Sequence, residues 1–430
     1  MAKFLLASTS APGHITPMAI VVRRLIERGH EVQWYTGAGL RADVEASGAR
    51  FHPITHEIDF TRISPVELVP ELRTASSGVA RARLYFERCF IDAAPATITD
   101  LERVLAEFPA DVLVADPLVV AAPMVSERGG PPFARIATTR LGIYSRDTPP
   151  PGLGRSPGAG LRGRLRDRAL TVLHRHVLFR RTTLHLDDVR HAMGLPRRRR
   201  SAFDQFLSPW LFLQDTAEAF EYPRRDLPPQ VHFIGALVPE PADFDRPVWW
   251  PELHADRPVV LVTLSTVANA RANLIGPAVE AFAGEDLTVI ITTGSGEFTV
   301  PETLPDNVHV EPFVPHASVM PHVDVFVTNG GYGGVQVALS HGVPMVVAGV
   351  TEEKPDIAAR IAWSGAGVRL PTDAPSSDVL RAAVRQVLND GRYAKAAARI
   401  ATDLGRHDAA AEAVELLEEL ARTGEPVLRR

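Results

Sequence analysis

Apolar residues along this chain gather in short continuous runs, separated by longer stretches of helical period. Residues 3–9, 31–36, 111–115 and 134–138 are such runs, each about the length of a buried strand. After the first, residues 10–16 contain Pro12-Gly13-His14 and are expected to form a loop. Pro17 then sits well for an early helical position, and residues 18–28 keep one apolar face until Gly29 stops them. A second series of runs falls at 258–264, 287–292, 308–313, 323–327, 344–348 and 368–370, again with helical patterns between them. Continuous apolar strands alternating with helices predict α/β architecture with parallel, doubly wound sheets. Residues 377–423, rich in Ala, Leu, Glu and Arg, are expected to be helical.

Two stretches break this rhythm. Residues 161–201 are dense in arginine and helix formers, which suggests a solvated helical insertion or a wall over a cleft. Residues 214–256 are rich in Pro, acidic residues and turn signals, with Trp249-Trp250 near the end, and resemble a linker. A chain of 430 residues exceeds what one core usually supports, so two domains are expected. The boundaries that fit are 1–214 for the first domain, 215–256 for the linker, 257–405 for the second domain and 406–430 for a C-terminal helix. Two such domains place a ligand crevice between them, at the C-terminal ends of the strands.

Composition narrows the chemistry. Lys and Arg number 46 and Asp and Glu 51, a net charge of −5, which argues against nucleic acid as the main partner. The basic run 197–200 has no aromatic stacking platform beside it. A single cysteine, Cys89, excludes an internal disulfide and a cysteine-based metal cluster and fits a reducing cytoplasm. The first apolar run is too short for a secretion signal, and no run approaches transmembrane length. Metal, phosphate-loop and serine-hydrolase motifs (HExxH, GxxxxGK[ST], GxSxG) are absent from the sequence.

The richest segment is 323–358. There an apolar strand runs into Thr328-Asn329-Gly330-Gly331-Tyr332-Gly333-Gly334, then a helix, then another apolar strand. Four glycines at a strand-to-helix junction let backbone N–H groups and the helix dipole reach a phosphate or pyrophosphate. His14, following the first strand, is suited to general-base work near neutral pH. Asp116 ends another strand, where a carboxylate can orient that imidazole and stabilise its charged form. Its plainer role is as an Asp-Pro turn former. In the second series, Ser265 and Thr266 offer hydroxyls to a phosphate or cap a helix. Phe313-Val314-Pro315-His316 offer a ring or exposed backbone to a flat base, and Glu353-Lys354 offer paired charges to sugar hydroxyls.

Taken in order, these residues resemble family 1 glycosyltransferases, inverting enzymes with two facing Rossmann-like domains (the GT-B architecture). The bacterial natural-product and macrolide enzymes are the nearest type. The likeness spans essentially the whole chain. Within it His14 looks like the family's base and Asp116 like its partner. Thr266 falls on the serine of the family's Gly-Ser, with Ser265 in place of Gly. Phe313, Val314, Pro315 and His316 match its base-holding Trp/Phe-x-Pro-Gln/His. Ala338, Leu339 and Gly342-Val343-Pro344 match its Ala-Leu-x-x-Gly-Val-Pro.

The departures from the family lie in the donor site. Asn329 stands where the family usually has a pyrophosphate-binding His, and an amide donates a hydrogen bond but carries no charge. Gly333 and Gly334 stand where it commonly has Asn or Thr and Ser. Val337 replaces the ribose-holding Glu, with Gln336 beside it, and Glu353-Lys354 replaces a sugar-reading Asp-Gln. The resemblance implies transfer of a hexose from a UDP- or dTDP-sugar to a hydroxyl of a hydrophobic small molecule such as a macrolide, polyketide or phenolic. His14 and Asp116 would be catalytic. Thr266, Phe313, Val314, His316, Asn329, Gly331, Gly333, Gly334, Glu353 and Lys354 would hold the donor. No metal or cofactor is expected beyond this co-substrate, and a cytoplasmic monomer or homodimer is expected. The lost donors leave two other readings, a non-catalytic nucleotide-binding auxiliary protein and a sugar-nucleotide epimerase. Both share the phosphate cradle, but neither has an evident use for a base at His14.

Overall fold

A computed structural model of the chain describes residues 1–75, 78–264, 274–294 and 303–429. Thirteen strands build two sheets. The first holds β1 (Lys3–Ala7), β2 (Glu31–Thr36), β3 (Arg50–Pro53), β4 (Val112–Ala115), β5 (Phe133–Ala137), β6 (Leu211–Gln214) and β7 (Val231–Phe233), in the order β3-β2-β1-β4-β5-β6-β7. The second holds β8 (Val259–Thr263), β9 (Thr288–Thr292), β10 (Val308–Glu311), β11 (Val325–Thr328), β12 (Met345–Ala348) and β13 (Gly367–Leu370), in the order β10-β9-β8-β11-β12-β13. Every pairing in both ladders is parallel. In each sheet the strand order reverses beside the first strand, which opens a crevice at the C-terminal strand ends.

Both faces of both sheets are covered, so the central strands can be apolar at every position. Leu6 and Val114 pack on one face of the first sheet with Met18 and Leu25 of the helix Pro12–Glu27. Leu5 and Leu113 pack on the other with Ile98 and Leu101 of the helix Ala94–Glu107. The second sheet is sandwiched in the same way between Val335, Leu339 and Ile357 on one side and Ala278, Leu380 and Val384 on the other. The C-terminal segment forms three helices, Ser377–Asn389, Arg392–Leu404 and Ala409–Thr423. The last crosses back to the first sheet. Its Val414, Leu417 and Leu420 join the Met18 core, and Glu418 pairs with Arg28 at 2.7 Å and His30 at 2.8 Å.

The structure departs from the sequence reading in three places. The stretch taken as a linker, 215–256, contains β7, the edge strand of the first sheet, so the chain crosses over only after Phe233. Edge strands β3 and β7 and the neighbouring β6 were not anticipated. β3 (RFHP) and β7 (VHF) hold too few consecutive apolar residues to form a run, and β6 (LFLQ) follows the arginine-rich tract. The helix expected from residue 18 begins at Pro12, because a proline at the first helical position loses only an N–H that has no intrahelical partner. His14 therefore lies in a helical first turn and not in a loop.

Candidate active site

The C-terminal ends of β1 and β4 bring His14 and Asp116 together. His14 Nδ1 lies 3.3 Å from Asp116 Oδ2 and 3.4 Å from Thr138 Oγ1, at the end of β5. The imidazole keeps 20% of its surface open, whereas Asp116 is wholly buried. The carboxylate is held from several sides. It accepts from the Thr9 N–H, from the Thr9 hydroxyl at 3.2 Å and from the Leu118 N–H at 2.7 Å. The Leu118 bond is the local turn expected of Asp-Pro, so Asp116 serves as turn former and histidine partner at once. Burial alone would raise the Asp116 pKa, but His14 and the two N–H groups outweigh it and hold the carboxyl below its usual range. Burial likewise opposes protonation of His14. Asp116, with a further contribution from the charge of Glu353, overcomes it and raises the imidazole above its usual value.

Arg135, inside β5, was not singled out from the sequence. It is fully buried behind this pair and donates through Nη1 to the carbonyls of Asp116, at 2.6 Å, and Val119, at 3.1 Å. It pins the turn that carries the carboxylate. Burial lowers its pKa to about 10, which still leaves it charged. A lone arginine in the apolar strand FARIA was the available signal.

Across the crevice, the helix Tyr332–Ser340 points its N-terminus outward from the end of β11. Its first backward bond is Val335 N–H to Gly331 O at 3.1 Å, so the N–H groups of residues 332–334 have no partner within the helix. Two glycines make the turn possible. Gly330 has φ +91°, and a Cβ on Gly349 would lie 2.0 Å from the Asn329 carbonyl. Among the described residues a Cβ on Gly333 would meet nothing within 4 Å beyond its own helix, and one on Gly334 would lie 3.4 Å from the Phe326 ring and 3.7 Å from His316 Nδ1. Asn329 is buried at the foot of this turn.

The remaining candidates separate. Phe313 stands 72% exposed beyond the end of β10, while Val314 is wholly buried in the core, so only its backbone can meet a base. His316 begins a short helix, with its ring edge-on to Phe326 at 5.8 Å. Glu353 is the N-cap of the helix Lys354–Ser364, half-buried and near enough to His14 for its charge to favour the protonated imidazole. Lys354 is not an exposed partner of Glu353. It is 4% exposed, and its ammonium pairs with Glu352, whose φ is +56°. Gln336, next to the ribose-reading position, turns to Thr216 of the first half at 3.2 Å, and Val337 lies in the core. Thr266 and Ser265 fall outside the described residues.

Several polar groups tie the halves together beneath the crevice. Tyr332, from the glycine turn itself, donates to the Asp215 carbonyl at 2.9 Å. Asp356 pairs with Arg140 at 2.9 Å and accepts from the N–H groups of Gly152 and Gly154 at 2.6 and 2.7 Å. Arg360 reaches Glu221 at 3.0 Å. No spacing in the sequence signals these contacts, since each joins residues from opposite halves.

On the first half, a cavity of about 50 Å³ opens beside Thr9 and Leu118, with Tyr35, His56, Phe60 and Phe90 in its wall. Ile143 is buried in the core, and Tyr144 bonds to His174 at 2.8 Å within an aromatic cluster that includes Phe203.

This arrangement is that of a two-domain enzyme of the GT-B fold, with a buried histidine–aspartate pair across the crevice from a glycine-rich helix N-terminus. Residues 278–420 match the model of the erythromycin biosynthesis protein CIII-like C-terminal domain. The chain is 46% identical to 4'-demethylrebeccamycin synthase of Lentzea aerocolonigenes, over 97% of this chain and 99% of that one. It is 31% identical to UDP-glycosyltransferase 2 of Phaeomoniella chlamydospora, over 97% and 95%. Among solved structures, the calicheamicin glycosyltransferase CalG4 superposes with a TM-score of 0.75 at 21% identity, covering 98% of this chain and 99% of that one. The glycosyltransferase VinC in complex with dTDP does so at 0.68 and 20%, with the same coverage. The chain belongs to the natural-product branch of the family 1 glycosyltransferases and is a glycosyltransferase.

Proposed function

We propose that this enzyme moves a hexose from a UDP- or dTDP-sugar to a hydroxyl of a hydrophobic natural product, with inversion at the anomeric carbon. The observation that carries this reading is the buried Asp116–His14 pair, which opens onto the crevice opposite the N–H groups of residues 332–334, unpaired among the described residues. With Nδ1 turned to Asp116, Nε2 is the nitrogen left to take the acceptor proton. As that proton leaves, the acceptor oxygen bonds to the anomeric carbon and the bond from that carbon to the diphosphate oxygen breaks. The electron pair goes onto the diphosphate, where the helix N-terminus stabilises it. The imidazolium is stabilised by Asp116 and by the nearby charge of Glu353. Glu353 also stands at the family's sugar-reading position, so it would accept from a sugar hydroxyl.

The cavity walled by Tyr35, Phe60 and Phe90 lies beside Thr9 and Leu118, the residues that hold Asp116, and supports a small apolar group of the acceptor there. The helix end supplies the charge stabilisation that a metal gives in other transferases, and activity would persist in excess EDTA. The enzyme would work in the cytoplasm as a monomer or homodimer. No helix among the described residues is long and apolar enough to cross a membrane. A donor-by-acceptor screen read by mass spectrometry tests the function. It should give a product heavier by one hexosyl unit with UDP- or dTDP-sugars. Isomerised donor without acceptor, or nucleotide binding without transfer across a broad panel, would overturn it.

A further inference from the structure

The donor seat lost side-chain donors at Gly333 and Gly334, yet it lies against an unused one. His316 comes from the preceding strand–helix unit, and its Nδ1 lies 3.7 Å from where a Cβ on Gly334 would stand. A hydroxyl carried at 334 would fall beside that nitrogen. The ring is steadied edge-on by Phe326, 5.8 Å away at an interplanar angle of 72°. Among the described residues His316 has no hydrogen-bond partner, so its N–H is available to a ligand. The role of holding a flat base does not require it, because Phe313 offers an exposed ring for that purpose.

On the transferase reading above, we propose that His316 donates its Nδ1–H to the diphosphate of the nucleotide sugar, replacing the side-chain donor that Gly334 lacks. It acts as a neutral donor, since burial lowers its pKa to about 4. This moves His316 from the base end of the donor to the leaving group. Its bond strengthens as charge builds on the departing diphosphate, so it would contribute to kcat as well as to binding.

The test is titration calorimetry on the full chain with UDP and dTDP, and with uridine and thymidine by competition. His316→Ala should weaken diphosphate binding about ten- to hundredfold, the range for one hydrogen bond to a charged group, and leave nucleoside binding within about twofold. His316→Gln keeps an N–H donor and should stay within about threefold of wild type. Adding Gly334→Ser to His316→Ala should recover at least part of the loss, because the new hydroxyl stands where the imidazole stood. Equal losses for nucleoside and diphosphate, or no loss at all, would overturn the proposal and leave the transferase reading intact. Failure of the wild-type chain to bind either diphosphate would overturn that reading itself.

Discussion

The two walls of the crevice do their chemistry with different parts of the chain. In the first half it resides in side chains. His14 is set by Asp116, which is set by Thr9, Leu118 and, from behind, Arg135. In the second half the glycine turn gives mostly backbone, and its one aromatic, Tyr332, is occupied in holding the halves together. A side-chain site is sharp and brittle, because one buried charge depends on another. A backbone site is hard to damage by substitution, because the N–H groups remain whatever side chain is attached. The comparison predicts that equal-sized changes will have very unequal effects on the two walls.

The largest effect is expected at His14. His14→Ala removes the base and should lower kcat by about 10²- to 10⁴-fold with donor KM little changed, measured with saturating acceptor. If kcat survives, the acceptor loses its proton by another route and the first wall is not the catalytic one.

Asp116→Asn comes next and separates positioning from charge. An amide leaves the shape nearly intact but removes the charge that raises His14, so kcat should fall about tenfold to a thousandfold. The pH profile gives the sharper reading. The base works only when neutral, so kcat/KM rises with pH through the His14 pKa. Asp116 and Glu353 lift that pKa against burial, so the wild-type acid limb lies above the ordinary histidine range. In Asp116→Asn it should move to lower pH; an unmoved limb would mean that another group sets it.

Much of the fold was legible because parallel strands buried on both faces are apolar throughout. The runs at β1, β2, β4, β5 and β8 to β13 stood out for that reason. β3 (RFHP) and β7 (VHF) escaped because they carry too few consecutive apolar residues to form a run, and β6 because its four residues follow an arginine-rich tract. The site was legible where its residues end strands, as at His14, Asp116 and the glycine turn. It was not legible where a side chain's direction depends on the opposite half. Gln336, beside the family's ribose position, meets Thr216 of the first half; Lys354 looked like a sugar contact, and its ammonium is taken locally by Glu352, for a separate reason. Periodicity tells which face of its own helix a residue occupies, not what the other domain brings to that face.

On the second wall Asn329→Ala should act moderately. It removes the one side-chain amide at the foot of the turn but leaves the N–H groups of residues 332–334, so donor KM should rise about three- to tenfold with little change in kcat. A loss on the scale of His14→Ala would show that the backbone alone does not form the seat.

The smallest effect, and the most direct test of a backbone site, belongs to Gly333→Ala. Among the described residues the added methyl meets no atom within 4 Å beyond its own helix, and the residue lies in a helix at negative φ. Alanine also loses less chain entropy than glycine on folding, a gain of about 0.5–1 kcal/mol. For a domain of ordinary size this raises Tm by about 1–4 °C. The methyl leaves the N–H groups of the turn in place, so donor KM should stay within about threefold while Tm rises. If KM instead rises tenfold or more in a more stable protein, the diphosphate must approach the Gly333 Cα so closely that a methyl displaces it. Glycine would then have replaced the family's side chain to admit the phosphate, and the bare turn would be a specialised seat instead of a reduced one.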